Sequence, residues 1–305
     1  MRAFLSRFPV RPVGRQEPEG GARRRADRDA RGGVSPSPSS SAGIWLVGAG
    51  NMGGAMLRGW LASGIAADRV TVIDPGSPDL PDGVRHVSAA PEGWPETLVL
   101  AVKPQQLDAA RAMFAGREGG PRLLLSILAG VEVATLAAAI PAEAVVRAMP
   151  NLPVAIGKGV TALYADGVDD ARRSEAEALV APLGLVEWIG GEALFDAVTA
   201  LSGCGPGFVF RFIDALATAG ARLGLPADQA QRLALATVEG SALMAAGSAE
   251  SPATLADRVA SPGGSTREGL NMLDRDDALI ELLAATLGAS AARNRAMAEE
   301  ARTRS

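Results

Sequence analysis

The sequence predicts an α/β protein, with a parallel sheet flanked by helices in its first ordered half and an all-α second half. Three observations lead there. Short apolar runs bounded by turn residues recur between Gly43 and Tyr164 and read as buried parallel strands. Helical stretches separate those runs, and such alternation places helices on the faces of a sheet. After Trp188 the strand patterns stop, and apolar residues fall at helical spacing instead.

The first strand is Gly43-Ile44-Trp45-Leu46-Val47. It runs directly into Gly48-Ala49-Gly50-Asn51-Met52-Gly53-Gly54, which fits G-x-G-x-x-G. An amphipathic helix follows, with Met56, Leu57, Trp60 and Leu61 on one face. A second strand, Val70-Thr71-Val72-Ile73, ends in Asp74, 21 residues after Gly53. Strand, glycine turn, helix, strand and acid form the context of a Rossmann-type dinucleotide-binding domain. Gly48 permits the tight turn, Gly50 lets a pyrophosphate approach, and Gly53 lets helix and strand pack closely. The helix start offers unpaired N–H groups to that anion. Asp74 either bonds the adenosine ribose 2′-hydroxyl, which favours NAD, or simply opens a turn into Pro75-Gly76.

Further strands are Thr97–Val102, Leu123–Leu128, Ala144–Met149 and Val160–Tyr164, with helices over about 105–115, 131–139 and 169–181. Ligands bind outside the carboxyl ends of such strands. The turns Gly48–Gly53, Lys103–Gln105 and Ala129–Gly130 are therefore expected to line one crevice. This domain is placed at 43–195.

A helical domain is placed at 196–305. Phe208, Phe212, Leu216, Ala219 and Leu223 recur at spacings of 4, 4, 3 and 4, and Pro206 suits a first helical turn. Leu223-Gly224-Leu225-Pro226 ends that helix and opens another, to about Ala246. Ser251-Pro252 starts a third as N-cap and N1. A glycine turn and short helix span Ser261 to Leu273, and a final helix runs from Asp277 to about Ala301. These apolar faces exceed what one small helical domain buries, so they predict an obligate dimer interface. Within Ser261-Pro262-Gly263-Gly264-Ser265-Thr266, adjacent glycines and hydroxyls at a helix start make either a nest of donors for a carboxylate or an ordinary capped helix start.

Scarce residues exclude whole chemistries. The 305 residues hold one Cys (Cys204), one His (His86), one Tyr (Tyr164) and two Lys (Lys103, Lys158). That rules out an internal disulfide framework and the usual four-ligand structural zinc; no metal site is expected. No uninterrupted apolar run reaches the roughly 18 residues of a spanning helix, so no membrane role is expected and the protein reads as cytoplasmic. The net charge of -4 is uneven. Residues 1–42 carry nine Arg against four acids, leaving -9 for the rest, which argues against nucleic-acid binding. This Arg/Ser/Pro-rich extension reads as disordered, with a targeting peptide or a basic arm as the other readings.

The same scarcity sorts dehydrogenases. The only Tyr lacks a Lys four residues on, zinc ligands are missing, His86 falls too early for 2-hydroxyacid chemistry, and neither Lys sits on an interdomain helix. Hydride transfer to a C=N bond remains, because an iminium arrives protonated and already electrophilic. A keto acid or other cyclic imine, and a non-catalytic nucleotide sensor, stand as alternatives.

Over about residues 43–275 the chain resembles the pyrroline-5-carboxylate reductase family. The resemblance rests on Gly48–Gly53, Ala101-Val102-Lys103-Pro104-Gln105, Arg147-Ala148-Met149-Pro150-Asn151, Leu201-Ser202-Gly203-Cys204-Gly205-Pro206 and Val259–Thr266. It implies reduction of 1-pyrroline-5-carboxylate to L-proline in a homodimer or larger assembly. It implies that Asn51 and Met52 lie over the phosphates and that Ala101–Pro104 flank the nicotinamide ribose. Ser261, Gly263, Gly264 and Ser265 would hold the substrate carboxylate, and Thr266 would bond the ring nitrogen. The family generally prefers NADPH, against the NADH reading of Asp74; both cofactors stay open, with a lean to NADPH. Cys204 and Phe208 replace the family's common Ser and Tyr. Arg267 replaces an apolar residue, and either faces solvent or meets the acidic substrate.

Overall fold

A computed structural model describes residues 43–304. The 1–42 extension lies outside the described residues. Eight strands form one sheet: β1 (Ile44–Val47), β2 (Val70–Ile73), β3 (Arg85–Val87), β4 (Thr97–Leu100), β5 (Leu123–Ser126), β6 (Ala144–Pro150), β7 (Gly159–Tyr164) and β8 (Gly184–Trp188). Their order is β3-β2-β1-β4-β5-β6-β7-β8.

Side-chain alternation along each strand builds two cores. Ile44, Leu46, Val70, Val72, Val99, Leu123, Leu125 and Val146 face one side, against α1 (Asn51–Ala62) and the later helix Asp170–Val180. Trp45, Val47, Ile73, Leu98, Leu100, Leu124 and Val145 face the other, against α2 (Leu107–Ala112) and α3 (Val133–Ala139). The helix Asp170–Val180 is α4. The Trp60 indole, fully buried in α1, donates to the Leu179 carbonyl of α4 at 2.8 Å and ties the two helices together.

The sheet departs from the expected pattern in two ways. The strands β3 and β8, which the apolar runs did not mark, form its two edges and are only partly buried. An edge strand has one neighbour and less need of apolar residues. Strand β7 runs antiparallel to β6, while all other pairs are parallel. Only eight residues, 151–158, join β6 to β7. That is too short for a parallel crossover, which takes about a dozen or more.

The helical half contains α5 (Phe195–Val198), a π-helical turn at Thr199–Gly203, α6 (Gly205–Arg222), α7 (Ala227–Ala246), α8 (Pro252–Arg258), α9 (Ser265–Asp274) and α10 (Ala278–Arg304). The Ser251 hydroxyl accepts the Thr254 N–H at 3.2 Å, so it caps α8 as its sequence predicts. Beyond Ala200 the buried apolar side chains among the described residues are Ala230, Ala234 and Ala260. Phe210, Phe212, Leu216, Leu243, Met244, Ile280 and Leu282 stand 40–72% exposed in the single chain. One helical run among the described residues, Glu192–Arg222, is long and apolar enough to cross a membrane by length and composition. It is not an uninterrupted apolar run, since Thr199, Ser202, Arg211 and Asp214 fall within it.

Candidate functional site

The glycine turn is built by close approach. The N–H of Gly48 donates to the Ile73 carbonyl at 2.9 Å, and that of Ala101 to Val47 at 2.8 Å, so the ends of β1, β2 and β4 converge here. Gly48 has φ +91, and a Cβ there would lie 2.9 Å from both the Ala101 carbonyl oxygen and Val102 Cγ1. A Cβ on Gly53 would run into the Gly48 carbonyl oxygen. Around Gly50, by contrast, a Cβ would find nothing within 4 Å. No side chain caps α1, and its first turn carries no acid. The opening N–H groups of α1 thus carry no side-chain cap, and with the positive end of the helix dipole they stand beside the open space at Gly50. This cradle fits the pyrophosphate of a dinucleotide.

Asp74 opens the turn, as one of its two sequence readings has it, and also does more. Its Oδ1 accepts the Gly76 N–H at 2.8 Å, and its Oδ2 accepts the Ala49 N–H at 2.9 Å. The carboxylate therefore fastens the glycine turn to the end of β2. It stands in a cleft of ≈ 570 Å³ together with Ala49, Gly50, Asn51, Arg58 and the segment Gly76–Pro81.

Ala101 and Val102 reach this constellation through their contacts at Gly48. The Lys103 N–H is held by Gln106 Oε1 at 3.1 Å, and Pro104 opens a 3-10 turn. Gly130 stands in the third of the expected turns, at the same end of the parallel strands. It lines a second cleft, of ≈ 440 Å³, with Glu132, Arg147, Glu192 and Arg295. Its loop follows β5, which β4 separates from β1, putting it about 10 Å from the glycine turn at the usual strand spacing.

Ser261–Thr266 forms a turn in which the Gly264 N–H donates to the Ser261 carbonyl at 2.9 Å, with Gly263 at φ +69. Gly264 is the N-cap of α9, and no side chain caps that helix. The ordinary capped start is thus not what the turn builds, and the first N–H groups of α9 are left to an outside acceptor. Ser261, Gly263, Ser265 and Thr266 are exposed in the single chain, and none of them lines either cleft. Arg267 donates to Asp257 Oδ1 at 2.8 Å and so binds α9 to α8.

The roles of Arg147 and Asn151 emerge only from their contacts. Pro206 has no N–H, so the Ser202 carbonyl has no partner four residues on. The buried Asn151 side chain supplies one, donating to Ser202 at 3.0 Å and accepting the Val160 N–H at 2.8 Å. Proline four residues after Ser202 was the available signal. Arg147, 6% exposed, pairs with Glu192 at 2.6 Å and lies over the Phe195 ring at 4.3 Å. Both residues fasten the sheet to the start of the helical half. Cys204 Sγ, partly buried, accepts the Ser290 hydroxyl at 3.2 Å and so packs against α10.

Residues 192–297 match the family model described as pyrroline-5-carboxylate reductase dimerisation. A pyrroline-5-carboxylate reductase of Pseudomonas aeruginosa is 35% identical over 268 residues, covering 84% of this chain and 97% of that protein. The chain belongs to the pyrroline-5-carboxylate reductase family. A reductase of that name from Synechocystis is 44% identical over 181 residues, 59% of this chain and 67% of its own. Among solved structures, the pyrroline-5-carboxylate reductase of Coxiella burnetii superposes with a TM-score of 0.73 at 29% identity, over 86% of this chain and 99% of that one. The Plasmodium falciparum pyrroline carboxylate reductase with NADP bound gives 0.70 at 25%, over 84% and 98%. The family's enzymes are NAD(P)H-dependent oxidoreductases, so the glycine cradle sits in a chain that is expected to carry one.

Proposed function

We propose that this chain reduces the C=N bond of 1-pyrroline-5-carboxylate to give L-proline, the last step of proline biosynthesis. The observation that carries this reading is the likeness to a reductase of that name over 97% of that protein's length. The cradle and the α9 turn supply its physical means. A reduced nicotinamide, NADPH or NADH, brings the hydride when bound. Gly48, Gly50, Asn51, Met52 and Gly53 hold its pyrophosphate on the start of α1, and Asp74 stands at the adenosine ribose. Ala101, Val102, Lys103 and Pro104 flank the ribose of the reacting end. Ser261, Gly263, Gly264 and Ser265 bind the substrate carboxylate through the N–H groups of the turn. The Thr266 hydroxyl bonds the ring nitrogen and holds its proton in place. Orientation and fixed dipoles then lower the barrier, with no side-chain acid required.

The units of this reading are an extension at 1–42, a nucleotide-binding domain at 43–195 and a helical substrate and dimerisation domain at 196–305. The assembly is a homodimer or larger, in which a second copy covers the apolar surface of the helical half, the run Glu192–Arg222 included. The acidic body suits a cytoplasmic enzyme with small-molecule partners, and not nucleic acid or membrane. The test follows NADPH and NADH oxidation in parallel by the full chain with pyrroline-5-carboxylate, together with proline formation. Nucleotide oxidation that yields proline is expected. Absence of turnover with both cofactors overturns the reading.

A further inference from the structure

Resting on the dinucleotide reading above, we infer that this chain selects NADH over NADPH and that Asp74 decides the choice. Both carboxylate oxygens of Asp74 are bonded, to the N–H groups of Ala49 and Gly76. The group cannot turn aside without releasing the glycine turn. An ionised carboxylate offers about four acceptor positions. Two are thus left for the hydroxyls of a ribose, whereas a 2′-phosphate brings nearly two further negative charges to the same place.

The surroundings give that phosphate little compensation. The wall formed by Gly76–Pro81 contains Pro78 and Pro81, whose fixed φ angles stiffen it. No Lys or Arg occurs between Pro75 and Val84. Arg85 pairs in register with Thr71, near the starting end of β2, while the cleft lies at its finishing end. Arg58 is the one cation lining the cleft, and it shares that lining with Asp74 and Asp79. Its guanidinium nitrogens fold back along α1, 3.3 and 3.8 Å from where a Cβ on Gly54 would stand. A second acid also stands in the lining where an NADPH site needs cations.

The experiment is a binding titration of the full chain with NADH and NADPH, read by nucleotide fluorescence, with 5′-AMP and 2′,5′-ADP as competitors. NADH is expected to bind at least about tenfold tighter, a difference of one decade in Kd. The monophosphate is expected to compete better than 2′,5′-ADP. Asp74→Asn and Asp74→Ser, checked for an unchanged fold by circular dichroism, should each move the NADH-to-NADPH ratio toward NADPH by about the same factor. Equal or tighter binding of NADPH by the unaltered chain overturns the inference alone. A ratio that stays put in a folded variant does the same. Failure to bind either nucleotide overturns it together with the reading it rests on.

Discussion

Thr266 carries the sharpest expectation at the scale of single residues. Thr266→Ala should lower kcat/KM about a hundredfold, as loss of one positioned hydrogen-bonding group does. The Kd of the reduced cofactor, measured by fluorescence titration, should stay the same. Turnover at the original rate would remove Thr266 from the site. Gly53→Ala tests the other half. Its methyl group would meet the Gly48 carbonyl oxygen, so nucleotide binding should weaken by about tenfold or more. Asn151 acts on stability instead. Asn151→Ala leaves the Ser202 carbonyl and the Val160 N–H without their side-chain partner, at a cost of about 2 kcal/mol, readable as a lower urea midpoint. The glycines and Asp74 could be read from sequence because each obeys a local rule of φ, approach or charge. Asn151 could not, since its partner lies 51 residues away and the need for it arises from Pro206.

At the scale of elements, periodicity found the buried strands and the long helices. It missed β3 and β8 because edges make weaker demands on composition. The direction of β7 follows from loop length rather than from the apolar run itself. The join between sheet and helices relies on Arg147 and Glu192, which also accepts the Val133 N–H at 2.8 Å. Arg147→Met should cost about 1–3 kcal/mol, below the usual range for a buried pair because Glu192 keeps some contact with water. Thermal unfolding would show the loss, and Glu192→Gln in the same background should recover part of it by removing the uncompensated charge.

At the scale of the whole molecule, the helical half presents a broad apolar surface in the single chain and matches a dimerisation domain. Beyond Ala200 most of its large apolar residues are exposed in one chain, and its buried apolar ones among the described residues are small alanines. Its stability should therefore depend on protein concentration, with Tm rising on concentration as mass action requires. The double change Phe212→Glu and Leu216→Glu should yield a smaller species in sedimentation and a lower Tm. A dimer that survives both changes would place the interface elsewhere on the helical half.

The class of fold, the position of the glycine turn, the order of the helices and the family are all legible in the chain alone. These depend on short-range rules: strand and helix periods, capping, and the conformational freedom of glycine. Packing in three dimensions settled that Asp74 reaches the Ala49 N–H of the glycine turn and that Asn151 closes the gap left by Pro206. Each of these depends on which distant backbone groups the sheet order brings within hydrogen-bonding reach. A side chain's partners are set by that packing, and a one-dimensional pattern does not contain it.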